Sequence, residues 1–128
     1  MLFTFPKKEK LKSKKLFTQL FEEGKSISTF PFKLIYVKTA LPPDIRIQTG
    51  VSVPKKKVKS AVKRNRIKRL VREAYRLNKH LVFNNSEGSF AFLILYLGKE
   101  MPSYPEVEKD IRSLLQKFIK TVNDDKNT

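Results

Sequence analysis

Residues 45–81, IRIQTGVSVPKKKVKSAVKRNRIKRLVREAYRLNKHL, change their hydrophobic period once, and that change predicts a strand feeding into a helix. Over 45–53 the chain alternates. Ile45, Ile47, Thr49, Val51 and Val53 share one face, and Arg46, Gln48, Gly50 and Ser52 share the other. The second face is polar and small, so it is expected to lie open to water or a ligand. From about Ser60 to His80 the spacing becomes helical, with Ile67, Leu70, Val71, Ala74, Leu77 and Leu81 forming a stripe expected to pack on a sheet. At about 100° per residue, the side farthest from that stripe carries Asn65, Lys68, Arg69, Arg72 and Arg76.

The same stretch carries most of the charge. Residues 55–76 hold eleven Lys or Arg against the single acid Glu73, in a chain of 128 residues with a formal net charge of +16. Such a surface repels itself unless a polyanion is its usual neighbour, and phosphate backbones are the commonest one. A lysine-rich run can serve solubility alone. Five of these eleven cations are Arg, however, and the planar guanidinium pairs two donors with phosphate oxygens in a way that a merely solvated face does not need.

Working outward, Leu16/Leu20 and Phe17/Phe21 are two i,i+4 pairs that predict a short amphipathic helix, with Ser13 as N-cap and Gly24 as its stop. PFKLIYVK (31–38) reads as a strand, Leu41–Asp44 as a turn, and Ser26–Phe30 as a short extra strand. SFAFLILYLG (89–98) is apolar on both faces, as a central strand covered on both sides would be. Ser103–Glu106 reads as a capping box before a closing helix marked by Val107, Ile111, Leu114, Leu115, Phe118 and Val122. The expectation is one α/β two-layer sandwich over residues 1–122, in the order α-β-β-β-α-β-α, followed by a flexible tail at 123–128.

Constellations for protein-based chemistry are sparse. There is no Cys, which excludes a disulfide framework and thiolate metal sites. The one His, His80, falls at the expected end of the basic helix, where a dipole role accounts for it. The acid groups Glu22/Glu23, Glu106/Glu108/Asp110 and Asp124/Asp125 fall on helix surfaces, helix starts or the tail. A GxxxxGK phosphate loop, a GxxG clamp and the aromatic RNP signature are all missing. Phe17, Phe21 and Tyr36 lie among the basic regions and could stack on bases, although aromatics at i,i+4 are more often core. The N-terminus lacks the order of a secretory signal and no apolar run reaches the ~18 residues of a membrane span, so a soluble, cytoplasmic protein is expected.

The segment GVSVPKKKVKSAVKRNRIKRLVREAYR (50–76) resembles the signature of the bacterial ribonuclease P protein component. Its centre is Arg64-Asn65-Arg66 followed by Lys68-Arg69 and Arg72. LFTQLFEEGKS (16–26) and FKLIYV (32–37) resemble that family's first helix and following strand. The resemblance implies a left-handed crossover and a fold like the second domain of ribosomal protein S5. It also implies a subunit of an endoribonuclease that removes the 5′ leader of precursor tRNA, in which an RNA subunit with Mg²⁺ performs the cleavage and the protein itself holds no metal or cofactor. By position, Phe17, Phe21, Tyr36, Asn65, Lys68 and Arg72 match a cleft for the single-stranded leader. Lys55, Lys56, Arg64, Arg66 and Arg69 match contacts to the catalytic RNA.

The sequence departs from the family's common SVSKKxGxAV. It reads SVPKKKVKSAV, with Pro54 for the second Ser, one extra residue and no Gly before Ala61, so the loop entering the helix is expected to differ. Rival readings are a ribosomal or general structured-RNA-binding protein without a processing role, a DNA-binding helix-turn-helix, and a stand-alone nuclease. The second needs a short partner helix before the basic one, and the third needs catalytic residues that the chain lacks.

Overall fold

The computed structural model describes residues 5–126. Helix α1 (Lys14–Glu23) starts at Ser13, whose Oγ accepts the Leu16 N–H at 3.3 Å. It stops at Gly24, but by a different device from a left-handed cap, because that residue is extended with φ −66°. Space demands the glycine: a Cβ there would lie 2.2 Å from the Leu20 carbonyl oxygen and 2.7 Å from Ile35 Cγ2.

Four strands follow in the spatial order β1-β2-β4-β3: β1 (Lys25–Thr29), β2 (Phe32–Lys38), β3 (Ile47–Ser52) and β4 (Phe90–Tyr96). The short extra strand is therefore real. β2 and β3 are not neighbours, since β4 lies between them, antiparallel to β2 and parallel to β3. Residues 41–44 thus do not close a hairpin; they carry the chain past β4, with the Ile45 N–H donating to the Pro42 carbonyl at 2.9 Å. β2 and β4 take the two interior places, and β4, buried along nearly its whole length on both faces, is the more completely covered of the two.

The β3–β4 crossover is helix α2 (Ala61–Asn85), and the chain closes with α3 (Tyr104–Lys126). Both helices cover one sheet face, where Phe90, Phe92, Ile94, Leu34, Tyr36, Ile47, Ile67, Val71, Leu114 and Phe118 form the main core. Phe118 sits at its centre, with ring centroids 4.8 Å from Phe92, 5.0 Å from Tyr36 and 5.1 Å from Phe90. α1 covers the other face, where Leu20 and Leu11 meet Ala91 and Leu93. The expected open side of β3 is only half open: Arg46 donates to the Phe83 and Ser86 carbonyls, and Gln48 to the Lys8 carbonyl at 3.1 Å.

α2 differs from its sequence reading in two ways. It continues five residues past His80, and its buried face is Ile67, Val71, Ala74, Tyr75, Asn78, Lys79 and Val82, leaving Leu70 and Leu81 half-buried and Leu77 exposed. Asn78 bonds the Ala74 carbonyl at 2.8 Å and Glu108 of α3 at 3.2 Å, so a polar side chain joins the two helices. α3 likewise runs on to Lys126, through part of the expected tail; residues 127–128 lie outside the described residues.

Ser60 caps the helix that carries the basic row, its Oγ accepting the Lys63 N–H at 3.3 Å. Ser60→Ala is expected to lower stability by about 1 kcal/mol in denaturant unfolding. An unchanged midpoint would show that water serves this helix end equally well.

Candidate nucleic-acid interface

The strand-to-helix loop is now defined. Pro54 opens a turn in which its carbonyl accepts the Lys57 and Val58 N–H groups at 3.0 and 3.2 Å, and Val58 is buried as an anchor. Among the described residues no non-glycine has a positive φ, so this loop works without the family's glycine. Lys55, Lys56 and Lys57 are left exposed. Arg64 turns back to hold them in place, its Nη1 donating to the carbonyls of Val58 at 2.9 Å and Lys59 at 2.8 Å.

Along α2, Asn65, Arg66, Arg69 and Arg72 are exposed and Lys68 is half-buried. Glu73, the one acid of the segment, is chelated by Arg76 at 2.5 and 3.0 Å, and this pairing holds its carboxyl below the usual range. The exposed cations Lys55, Lys56, Lys57, Arg66, Arg69 and Arg72 therefore have no free acid of their own segment to pair with.

A second stripe on α2 is spaced 65, 68, 72, 75, 79, the three–four alternation of one helix side. Its first half, Asn65, Lys68 and Arg72, is the helix set that the resemblance matches to the leader cleft. Its second half is covered by the N-terminal segment. Phe5 meets Tyr75 edge-on at 5.4 Å, and Glu9, from a one-turn 3-10 helix at Lys7–Glu9, bonds Lys79 at 2.6 Å. Burial pushes the Tyr75 phenol far above its usual range. The segment then runs beside β3, where Lys10 bridges Thr49 and the Leu11 N–H reaches the Thr49 carbonyl at 3.0 Å.

Two of the three aromatic candidates share a location. One flank of α1, with Lys15, Gln19, Glu22 and Glu23, faces Thr39 just past the end of β2, where Gln19 accepts from the Thr39 hydroxyl at 3.3 Å. Phe17 and Phe21 lie about 200° around the helix from Gln19, toward the end where β3 and β4 finish and the lysine loop begins. Phe17 is half-buried and Phe21 is 66% exposed. The open sheet row on this side is Lys33, Leu95 and Ser52.

Tyr36 does not join them. It is 5% exposed on the opposite sheet face, packed between Phe118 and Phe90. Successive residues of a strand alternate faces, so Ile35, one position earlier, is the residue that packs against the same Leu20–Leu93 cluster as Phe17. Sequence reasoning also missed the Glu9–Lys79 pair. Its only signal is that Glu9 is the lone acid in a run of lysines.

His80 is half-buried within α2 instead of ending it. No group of three or more His, Cys, Asp or Glu that could hold a metal ion occurs among the described residues. Among those residues no helix is long and apolar enough to cross a membrane.

A mixed sheet carrying a capped helix with an ordered row of exposed cations has the features of a protein that meets a polyanion. The ribonuclease P family model matches residues 5–119, and the chain belongs to that family. It is 36% identical over 121 residues to the ribonuclease P protein component of Porphyromonas gingivalis, covering 88% of this chain and 85% of that one. The component from Clostridium acetobutylicum is 32% identical over 121 residues, covering 94% and 98%. Among solved structures, the RNase P protein of Thermotoga maritima superposes with a TM-score of 0.69 at 26% identity, covering 85% and 96%. That of Staphylococcus aureus shows the same fold, with a TM-score of 0.68 at 20% identity over 84% and 93%. The chain is thus a subunit of the endoribonuclease that matures tRNA 5′ ends, in which the RNA carries the catalysis and is the protein's partner.

Proposed function

We propose that the protein holds two RNAs on adjoining surfaces at one end of its sheet. The catalytic RNA is gripped by Lys55, Lys56, Arg66 and Arg69, with Arg64 setting the loop on which the lysines stand. The 5′ leader of precursor tRNA lies over the Lys33–Leu95–Ser52 row, between Phe17 and Phe21 on one side and Asn65, Lys68 and Arg72 on the other. The observation that carries this reading is the placement of an exposed phenylalanine and an ordered cation row about the same end of the sheet. Aromatic faces accept any base, so the leader is held with little sequence preference. DNA is not a partner on this reading, since a strand precedes the basic helix where a helix-turn-helix needs a helix. The site of action is the cytoplasm.

Arg and Lys replace part of the counterion screening between two polyanions, so the assembly works at lower Mg²⁺ than the RNA alone, the Mg²⁺ being held with the RNA. The test is cleavage of a leader-bearing precursor by the catalytic RNA at low Mg²⁺, with and without protein. Protein-dependent leader release supports the proposal; RNA binding without stimulation reduces the protein to a general RNA-binding module. Arg66→Ala is expected to weaken assembly with the catalytic RNA and flatten the salt dependence of binding by about one unit of slope. An unaltered slope would show that this arginine makes no phosphate contact.

A further inference from the structure

The large hydrophobic side chains left exposed among the described residues are Phe21, Phe30, Val62, Leu77 and Met101. Phe30 is the most exposed of them, at 79%. It sits in the turn between β1 and β2. Because Phe32 pairs with Tyr96 and Leu95 pairs with Ser52, that turn lies at the end of the sheet where β4 and β3 finish. From there the chain enters the lysine loop and the first turn of α2, which carries Val62. β2 stands two strand spacings from β3, or about 10 Å. The basic end and Phe30 therefore belong to one surface a few nucleotides wide.

The turn is fastened. The Leu97 N–H donates to the Pro31 carbonyl at 2.7 Å, Lys117 of α3 reaches the Ser28 carbonyl at 2.8 Å, and the Thr29 and Ser113 hydroxyls meet at 3.4 Å. A single exposed apolar residue is ordinary on a protein surface. A large exposed ring carried on a fastened turn, at the sheet end where the lysine loop begins, is what a stacking contact to a polyanion requires. Little backbone freedom of the turn remains to be lost on binding.

We infer that Phe30 stacks on an unpaired base of bound RNA, extending the RNA-binding surface from α2 across the sheet end to the β1–β2 turn. This rests on the RNA-binding reading above. The chain contains no Trp, so Phe30→Trp gives a single indole at the proposed contact. Titration with the catalytic RNA, and then titration of the assembled complex with leader-bearing precursor and with mature tRNA, should quench that indole in at least one arm. The quenching arm identifies the RNA. In the same arm Phe30→Ala should weaken binding about 5- to 100-fold, with the affinity restored in the Trp variant and the melting temperature unchanged. Unquenched emission at saturation in every arm, or full affinity of the Ala variant, overturns the assignment. If Arg66→Ala and Phe21→Ala still weaken binding in that experiment, the RNA-binding reading stands and only Phe30 fails; if wild-type protein binds no RNA, both fail.

Discussion

Replacing Phe17 and Phe21 together by Ala is expected to weaken binding of leader-bearing precursor tRNA to the assembled enzyme by about 2–4 kcal/mol, leaving mature tRNA almost unaffected. Each base stacked on an aromatic ring contributes roughly 1–3 kcal/mol. The two rings are i,i+4 neighbours, so their losses do not simply add. Their surroundings separate two effects. Phe21 is mostly exposed, and its truncation removes little packing. Phe17 is half-buried against the Leu20–Leu93 core, and its truncation also lowers stability. Phe17→Leu keeps apolar volume but removes the ring's stacking face, and it should reproduce the precursor defect with a smaller stability loss. The measurement is the ratio of precursor to mature tRNA affinity. Equal losses on both ligands would remove the leader from this site and leave the rings as packing alone.

The parts of this interface that were legible in the sequence are those fixed by local spacing. Ser13 and Ser60 are caps because hydroxyls precede helical patterns, and the cations of α2 share a side because 65, 68 and 72 follow the helix repeat. What local spacing cannot give is which face of a strand meets which layer. In FKLIYVK both parities are apolar, so nothing in β2 itself says that Phe32, Leu34 and Tyr36 face α3 while Ile35 and Val37 face α1. Tyr36, which the resemblance matches to the leader cleft, lies one residue from Ile35, the neighbour on the α1 side. Pairing partners are equally hidden: β4 separates β2 from β3 through a contact between segments about fifty residues apart. The helix stripe was misjudged for a third reason. Tyr75 and Lys79 are covered in part by the N-terminal segment, and a Lys in a basic helix carries no mark of its partner.

That partner is the basis of the second large effect. Lys79 has a side chain only 3% exposed, and its ammonium is held by Glu9 at 2.6 Å with the Phe83 ring 5.3 Å away. Glu9→Ala leaves this cation buried beside a ring alone, and removing one partner of a buried pair costs several kcal/mol where the pair cannot relax. Here the segment carrying Glu9 can peel away and let water reach Lys79, which places the expected loss near the lower limit, about 3 kcal/mol. Lys79→Met in the same chain should recover most of it, because an apolar side chain of similar length needs no partner. Glu9 itself keeps 14% exposure, so Lys79→Met alone should be the milder single change. A Glu9→Ala loss within the ordinary surface range of about 0.5 kcal/mol would show that the ion pair is not buried in solution. The functional consequence follows from the stripe at 65, 68, 72, 75 and 79: once released, Lys79 extends the cation row by two helix turns. Glu9→Ala protein should therefore show a steeper salt dependence of RNA binding, by about one unit, while the Glu9→Ala/Lys79→Met protein should not.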